Sequence, residues 1–335
     1  MFKKIIIGFI VLGVIALAGW KLFFSGGDVS DILSKQKEDL TGYHMEATMD
    51  IENGDDVRSY FVTTDYQKKE DQDNFRVSLL DKNINQEQII IRNSDGVFVL
   101  TPMLNQVYKF KSDWPTNSPK PYLYQTILDS FNGKHEIKKM DDGYLLSTTP
   151  NYKNNPTWVK QDTKLTQKLE PQYVTIYDSE NKALVKIEFT KVDFSPKFSD
   201  DFFDVKVNMD TSRSNLDQST MFDDVELPFY PTGANISATL KEETTSSIGG
   251  SEVVILIYEG TDEFTVVQSL IESNTEMVIS VVDGELESVL TGVAYSTDNY
   301  LVYIESNIRY TIYSKSLTTA QKLEVAQGME DSLMK

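Results

Sequence analysis

The sequence predicts an α+β fold that is mainly β and is built on one antiparallel sheet. From Tyr43 to Ile51, apolar and polar residues alternate without a break, which is the pattern of a strand with one buried face. Similar short runs recur along most of the chain and are separated by turn signals such as Asn93-Ser94-Asp95-Gly96. Only two or three stretches have the period of a helix, so strands predominate.

The first element is an apolar segment at residues 5–24, interrupted only by Lys21. Twenty helical residues span about 30 Å, which is the thickness of a bilayer's hydrocarbon core. Lys3 and Lys4 precede the segment and favour a cytoplasmic N-terminus. We therefore expect a single-pass protein of the plasma membrane, bound to it through residues 5–24, with an extracytoplasmic ectodomain from residue 25 onward.

A cleaved secretory signal is the alternative interpretation of the same segment. Ala16-Leu17-Ala18 has the small-x-small form that a signal peptidase recognises, and cleavage there would leave Gly19 at the new N-terminus. Leu17-Ala18-Gly19 also has the form that precedes the lipid-modified cysteine of bacterial lipoproteins. The next residue is Trp20, however, and a thioether to diacylglycerol needs a sulfur, so lipidation at this position is excluded.

The ectodomain begins with a predicted helix, and strands and turns follow it. The helix is expected at residues 28–40, where apolar residues recur at helical spacing before Gly42. A second helix is expected at 122–131, after the break at Trp114-Pro115. The remaining predicted elements of this part are strands at 43–51, 60–66, 75–80, 88–92, 97–100, 107–110, 136–140, 144–149, 173–178 and 183–189.

A change in composition predicts a boundary near residues 207–233. Residues 28–210 have a net charge of −8 and residues 211–335 a net charge of −14. We divide the chain into an anchor and joint at 1–27, a first domain at 28–206, a linker at 207–224 and a smaller C-terminal α+β domain at 225–335. The C-terminal domain is expected to contain seven strands and to end with a helix after Thr318, where Gln321 can complete a capping box.

The composition argues against several functions. The chain holds 51 acidic and 32 basic residues, a net charge of −19, and such a surface repels the phosphates of nucleic acids. Cysteine is absent, and the two histidines, His44 and His135, lie far apart without the spacing of a metal or catalytic motif. We expect no enzyme activity, no cofactor and no metal site.

Three sequence stretches resemble a known family. The run from Gln88 to Pro102, QIIIRNSDGVFVLTP, is followed by Phe110-Lys111-Ser112-Asp113-Trp114-Pro115, and Leu169-Glu170-Pro171 precedes the last predicted hairpin of the first domain. Together they resemble the YdcC-type sporulation lipoproteins of Gram-positive bacteria, a group similar to the lipoprotein carriers LolA and LolB and to the germination protein GerS. The resemblance covers about residues 28–206. Residues 264–335 are similar to a domain of unknown function.

The resemblance implies a LolA-like fold, which is a strongly curved antiparallel sheet, an incomplete β-barrel, with covering helices. In the carriers, the concave apolar face encloses a cavity for acyl chains. The candidates for this face here are Met45, Met49, Phe75, Val77, Leu79, Ile89, Ile91 and Phe98. The alternative is that these residues form a filled core, since methionine also fills irregular cores.

Two functions are compatible with the sequence. In the first, the protein binds a lipid or the acyl chain of a lipoprotein in an apolar cavity, in sporulation or envelope maintenance. In the second, it is a docking or regulatory partner of a cell-wall enzyme, as GerS similarity implies, and has no lipid ligand. A cavity would favour the first function, whereas a filled core with an exposed apolar patch would favour the second.

Overall fold

The computed structural model describes residues 26–53, 56–116, 118–132, 134–216, 225–232 and 236–331. Its first part, residues 26–216, contains three α-helices and eleven strands. The helices are α1 (Gly26–Glu38), α2 (Tyr124–Asp129) and α3 (Val205–Asn215). The strands are β1 (Gly42–Asn53), β2 (Asp56–Lys69), β3 (Gln72–Asp81), β4 (Gln86–Asn93), β5 (Gly96–Thr101), β6 (Gln106–Phe110), β7 (His135–Met140), β8 (Gly143–Thr148), β9 (Lys160–Thr166), β10 (Pro171–Tyr177) and β11 (Ala183–Asp193).

The second part, residues 225–331, contains ten strands and one α-helix among the described residues. The strands are β12 (Phe229–Pro231), β13 (Ala238–Ile248), β14 (Ser251–Gly260), β15 (Phe264–Leu270), β16 (Val278–Val281), β17 (Glu285–Leu286), β18 (Val293–Ser296), β19 (Tyr300–Glu305), β20 (Ile308–Tyr313) and β21 (Met329–Asp331). The helix is α4 (Thr319–Gln327), and Thr318 and Gln321 form the predicted capping box at its start.

The main sheet has twelve strands in the order β16-β6-β5-β4-β3-β2-β1-β11-β10-β9-β8-β7, and it is open at both ends. All its pairs are antiparallel except β16 with β6, which is parallel. A second sheet has seven strands in the order β13-β14-β15-β20-β19-β18-β17, and β12 pairs with β21. The predicted fold class, α+β and mainly β with an open, curved antiparallel sheet and covering helices, is confirmed.

The inner face of the main sheet is the face to which the alternation of β1 directs its apolar residues. Tyr43, Met45, Ala47 and Met49 are buried on this face, because successive side chains of a strand point to opposite sides. The helices α1 and α2 cover the inner face with buried side chains, namely Val29, Leu33, Ile127 and Leu128. Val293, Val302 and Ile304 of the second part belong to the same cluster.

The outer face of the main sheet is covered in part by α3. Met209 is fully buried there against Ile89, Ile91 and a few neighbouring residues of β5 and β6. The helix begins at an Asp204 cap, whose carboxylate accepts a hydrogen bond from the backbone N–H of Val207. The first half of the predicted linker at 207–224 is therefore helical and docked on the sheet. The division at 28–206 and 225–335 remains a prediction.

The segment 271–290 connects the two parts of the chain through the backbone. Its strand β16 lies beside β6, where the N–H groups of Val278 and Val282 donate to the carbonyls of Asn105 and Lys109 at 3.0 and 2.9 Å. The sequence predicts a strand at 277–282 but places it within the C-terminal domain. The structure instead adds it to the sheet of the first part.

The predicted location, a single-pass protein of the plasma membrane, is contradicted. Within the described ranges, from residue 26 to residue 331 with their gaps, the structure has no helix that is both long and apolar enough to cross a membrane. The predicted anchor at residues 5–24 lies outside the described residues.

Lys120 also joins the two parts, and it is almost fully buried. Its Nζ donates to the carbonyl of Val289 at 2.6 Å and to Oγ of Ser288 at 3.3 Å. Both of these acceptors are uncharged, and burial lowers the pKa of Lys120 to about 7. At neutral pH the folded protein therefore binds less than one proton at Lys120, whereas an unfolded chain holds this lysine fully charged.

We expect the Lys120→Met variant to change how stability depends on pH. The pKa of Lys120 is lower in the folded protein than in the unfolded chain. At pH values between these two pKa values the unfolded state binds more protons, so the free energy of unfolding should rise with pH by up to about 1.4 kcal/mol per pH unit. Urea unfolding from about pH 7 to about pH 9 should show this rise in the parent and its loss in Lys120→Met. The exposed Lys138→Met serves as control. Parallel curves for the parent and Lys120→Met would contradict the assignment.

Candidate functional site

The structure divides the eight predicted cavity residues between the two faces of the main sheet. Met45, Met49, Phe75, Val77 and Leu79 lie in the inner-face cluster, and Ile89, Ile91 and Phe98 lie in the outer-face cluster under α3. The register of β3 and β4 explains this division, since Val77 stands opposite Ile90 and shares its face, so that Ile89 and Ile91 point the other way. All eight residues are buried.

Two inner-face residues, Tyr43 and Phe75, contact aromatic side chains of the sheet and of the segments that cover it. Tyr43 contacts Tyr66 and Tyr124 with ring centroids 5.5 and 6.1 Å apart, and Phe75 contacts Trp114 at 5.7 Å. Such tilted and edge-on contacts are the arrangements that aromatic rings favour in packed cores. In this structure the predicted cavity residues of the inner face are buried within one apolar cluster.

A cleft of about 410 Å³ lies where the two parts of the chain meet. It is found at the end of the main sheet, where β3 ends and β4 begins, opposite β19 and β20. Its volume is within the usual range of ligand sites, which are often found between domains. The buried apolar and aromatic residues of its floor are Tyr60, Leu79, Leu104, Ile304, Ile308, Tyr310 and Met329. Leu79 is the predicted cavity residue that reaches this cleft.

Charged and polar side chains from both parts surround this floor. Arg58 of β2 donates to Glu305 of β19 at 2.6 Å, and the carboxylate of Glu305 raises the pKa of Arg58. Gln88 Nε2 donates to the carbonyl of Gly292 at 2.5 Å. Asn307 is buried in the lining, and its Oδ1 has no hydrogen-bond partner among the described residues. The cleft combines an apolar floor with polar groups at its margin.

Gly292 is required by the close approach of backbone at this cleft. Its φ of +73° is in the left-handed region, and a Cβ at this position would lie 2.7 Å from the carbonyl oxygen of Ile304. A larger residue would therefore push β19 away from the segment that follows β17. The position also fixes the carbonyl that accepts from Gln88.

Most residues of the cleft have no signal in the sequence. The alternation of β2 is a signal for Tyr60, since it pairs with Met49 and shares its face. No pattern within the sequence links Arg58 to Glu305, because the two residues belong to different sheets and come together only through the tertiary fold.

His44, one of the two histidines, belongs to a charged network on the outer face. Its Nδ1 lies 2.7 Å from the buried carboxylate of Asp65, and its Nε2 lies 2.9 Å from Glu46. The hydrogen bond with Asp65 raises the pKa of His44. Arg76 of β3 extends the network to the helix, since its Nε donates to Oδ1 of Asn208 in α3 at 2.5 Å. These contacts fix the helix on the sheet, and the described residues hold no group of metal-ligating side chains.

Comparisons with known proteins agree with the family resemblance. No protein-family model matches the chain. The chain is 27% identical to the sporulation protein YdcC of Bacillus subtilis (strain 168) over 332 residues. The alignment covers 98% of this chain and 96% of that protein.

Solved structures with similar folds include the MucA/MucB complex of Pseudomonas aeruginosa, at 12% identity and a TM-score of 0.32, covering 90% of this chain and 98% of that chain. They also include a LolA superfamily protein from Nitrosomonas europaea, at 13% identity and a TM-score of 0.29, covering 53% of this chain and 97% of that chain. The similarity to YdcC agrees with the resemblance that the sequence motifs indicate over about residues 28–206, and it extends along the rest of the chain.

We expect Met49→Asp and Ile91→Asp each to destabilise the protein by at least about 3 kcal/mol, because each substitution buries a charge without a partner. Thermal and urea unfolding measure the loss. Ile248→Asp is the control, since Ile248 is 58% exposed at the end of β13, and this variant should keep the parent's stability. If Met49→Asp kept the parent's stability, the inner face would contain solvent-reachable space rather than a packed core.

Proposed function

We propose that this protein is a non-catalytic binding protein that takes an acyl chain, from a lipid or a lipoprotein, into the cleft between its two parts. The observation that carries the proposal is the cleft itself, with its volume of about 410 Å³ and its apolar floor. Apolar surface that a ligand covers is removed from water, which contributes about 25 cal/mol per Å² before the costs of binding are subtracted. The whole-length similarity to a sporulation protein supports a role in sporulation.

The margin of the cleft suits an amphipathic ligand. Arg58 pairs with Glu305 there, and Asp81 accepts from the backbone N–H groups of Asn83 and Ile84 at 2.8 and 3.3 Å. A ligand whose acyl chain enters between these groups keeps its polar end at the surface, while its hydrocarbon contacts Leu79, Ile304 and the other floor residues. Binding of this kind requires neither a cofactor nor a catalytic group.

The second candidate function is docking to a cell-wall enzyme without a lipid ligand. The observation that favours it is the inner face, where the predicted cavity residues are buried and Phe75 contacts the rings of Tyr66 and Trp114. A filled core leaves recognition to the surface of the molecule. The two functions differ in one measurable property, which is the saturable binding of an acyl chain by the purified protein.

A fluorescent long-chain fatty acid and a triacylated lipopeptide test the first function. We expect saturable binding of at least one of them, with the lipopeptide preferred if the natural source is a lipoprotein. Ile84→Glu places a carboxylate at the mouth of the cleft, where Ile84 is 47% exposed, and should weaken binding about tenfold, which corresponds to about 1.4 kcal/mol.

Ile248→Glu is the matched control, since it makes the same change at an exposed isoleucine that does not line the cleft. It should bind as the parent does. Melting temperatures of both variants confirm that they are folded. Absence of saturable binding by the parent, or equal affinities of the two variants, would favour the docking function instead.

A further inference from the structure

The strand β16 forms one open edge of the main sheet. It pairs with β6 on one side and is the last strand in the order, so its other side has no partner strand among the described residues. Val278 and Val282 direct their N–H groups to β6. Because neighbouring residues of a strand direct their N–H and C=O groups to opposite sides, those of Ile279 and Val281 point to the open edge.

The side chains of β16 are unusual for an open edge. Ile279 is 49% exposed and Val281 is 71% exposed. Ile279 stands beside Val107 in the register and so adjoins the apolar cluster of the outer face, but Val281 stands beside Lys109, where packing does not require an apolar residue. An apolar side chain at such a position increases the tendency of the edge to pair with another strand.

Two longer open edges carry charges within the strand. β7, at the far end of the main sheet, contains Lys138 and Lys139, and β13 of the second sheet contains Lys241, Glu242 and Glu243. Charges of this kind discourage pairing with other chains. The sequence of β16, Val278-Ile279-Ser280-Val281, has no charged residue.

Acidic residues flank this uncharged strand. The segment 271–290 contains five carboxylates and no lysine or arginine, and four of the five, Glu272, Glu276, Asp283 and Glu285, are exposed. An antiparallel pair of two copies that aligned Ile279 with Val281 would bring Glu276 of one close to Asp283 of the other. Like charges across a strand pair are destabilising, so a second copy is disfavoured and a basic partner is favoured.

We propose that β16 is a docking site for an extended, basic segment of a partner protein, which adds to the sheet as a further strand. Backbone groups of Ile279 and Val281 supply the hydrogen bonds, and their exposed side chains contact alternate apolar residues of the partner. The surrounding carboxylates attract lysine or arginine at the ends of the partner segment. This site is distinct from the acyl-chain cleft and does not depend on the proposal made for it.

A fluorescent peptide with alternating valine and threonine and two lysines at each end tests the proposal with the full-length chain. We expect saturable binding that weakens as salt is added, together with slower hydrogen exchange of the Ile279 and Val281 amides. The same peptide with glutamates in place of the lysines should bind at least about tenfold more weakly, since the edge is acidic.

Two sets of variants separate the backbone from the charges. Val281→Pro removes the outward N–H without removing a donor to β6 and should weaken binding about tenfold, whereas Val281→Thr keeps the N–H and the branched side chain and should bind as the parent does. The double variant Glu276→Lys with Asp283→Lys changes only exposed charges and brings the exposed charge of the segment from −4 to zero, so it should lose the preference for the lysine peptide.

Protection at another part of the sheet, or equal binding of both peptides to the parent, would overturn the proposal. So would unchanged peptide preference in the double variant, which decides the matter even if Val281→Pro fails to fold. A peptide-independent dimer that protects Ile279 and Val281 would show that a second copy occupies the edge, and this result would also overturn it.

Discussion

The parallel pairing of β16 with β6 is the contact on which the arrangement of the molecule depends. Parallel strands need a long crossover between them, and here the strands β7 to β15 and the helices α2 and α3 lie between β6 and β16 in the sequence. The register is fixed at both ends, by the N–H groups of Val278 and Val282, and Gln106 Nε2 adds a bond to Ser280 Oγ at 2.8 Å. These contacts attach the segment that precedes β17 of the second sheet to the edge of the main sheet.

The cleft is a consequence of that placement. β19 contributes Ile304 to its floor and Glu305 to the ion pair with Arg58, while β2 and β3 contribute the opposite wall. The two sheets therefore meet across the cleft without filling it. Buried contacts elsewhere at the junction, such as Lys120 with the carbonyl of Val289, hold the walls at this separation. A binding site formed in this way needs no residue with special chemistry, because its shape comes from the packing of two sheets.

Sequence patterns predict the parts of this structure that follow a local period. The alternation in β1 identifies Met45 and Met49 as residues of one buried face, and the capping box of Thr318 and Gln321 marks the start of α4. The family motifs predict the open sheet and its covering helices.

Facts that depend on register or on distant pairing could not be predicted in the same way. Ile91 lies on the face opposite to Met49, because one step along β4 reverses the direction of a side chain. Within the sequence, Val278–Val281 is simply an apolar strand, and its parallel partner in the first part has no local signal. The cleft was missed for the same reason, since its walls come from distant segments.

An open sheet always has two edge strands. In this protein, the pairing of β16 with β6 makes β16 one of them. Without β16 the edge would be β6, whose residues are mostly buried in the present structure. Covering it transfers the edge to a strand of four residues with carboxylates on both sides. A short edge pairs less readily with other chains, and flanking charges of one sign oppose pairing between copies. The same two properties leave an uncharged row of backbone donors and acceptors open to a segment of opposite charge. Protection against self-association and selection of a basic partner therefore arise from the same residues.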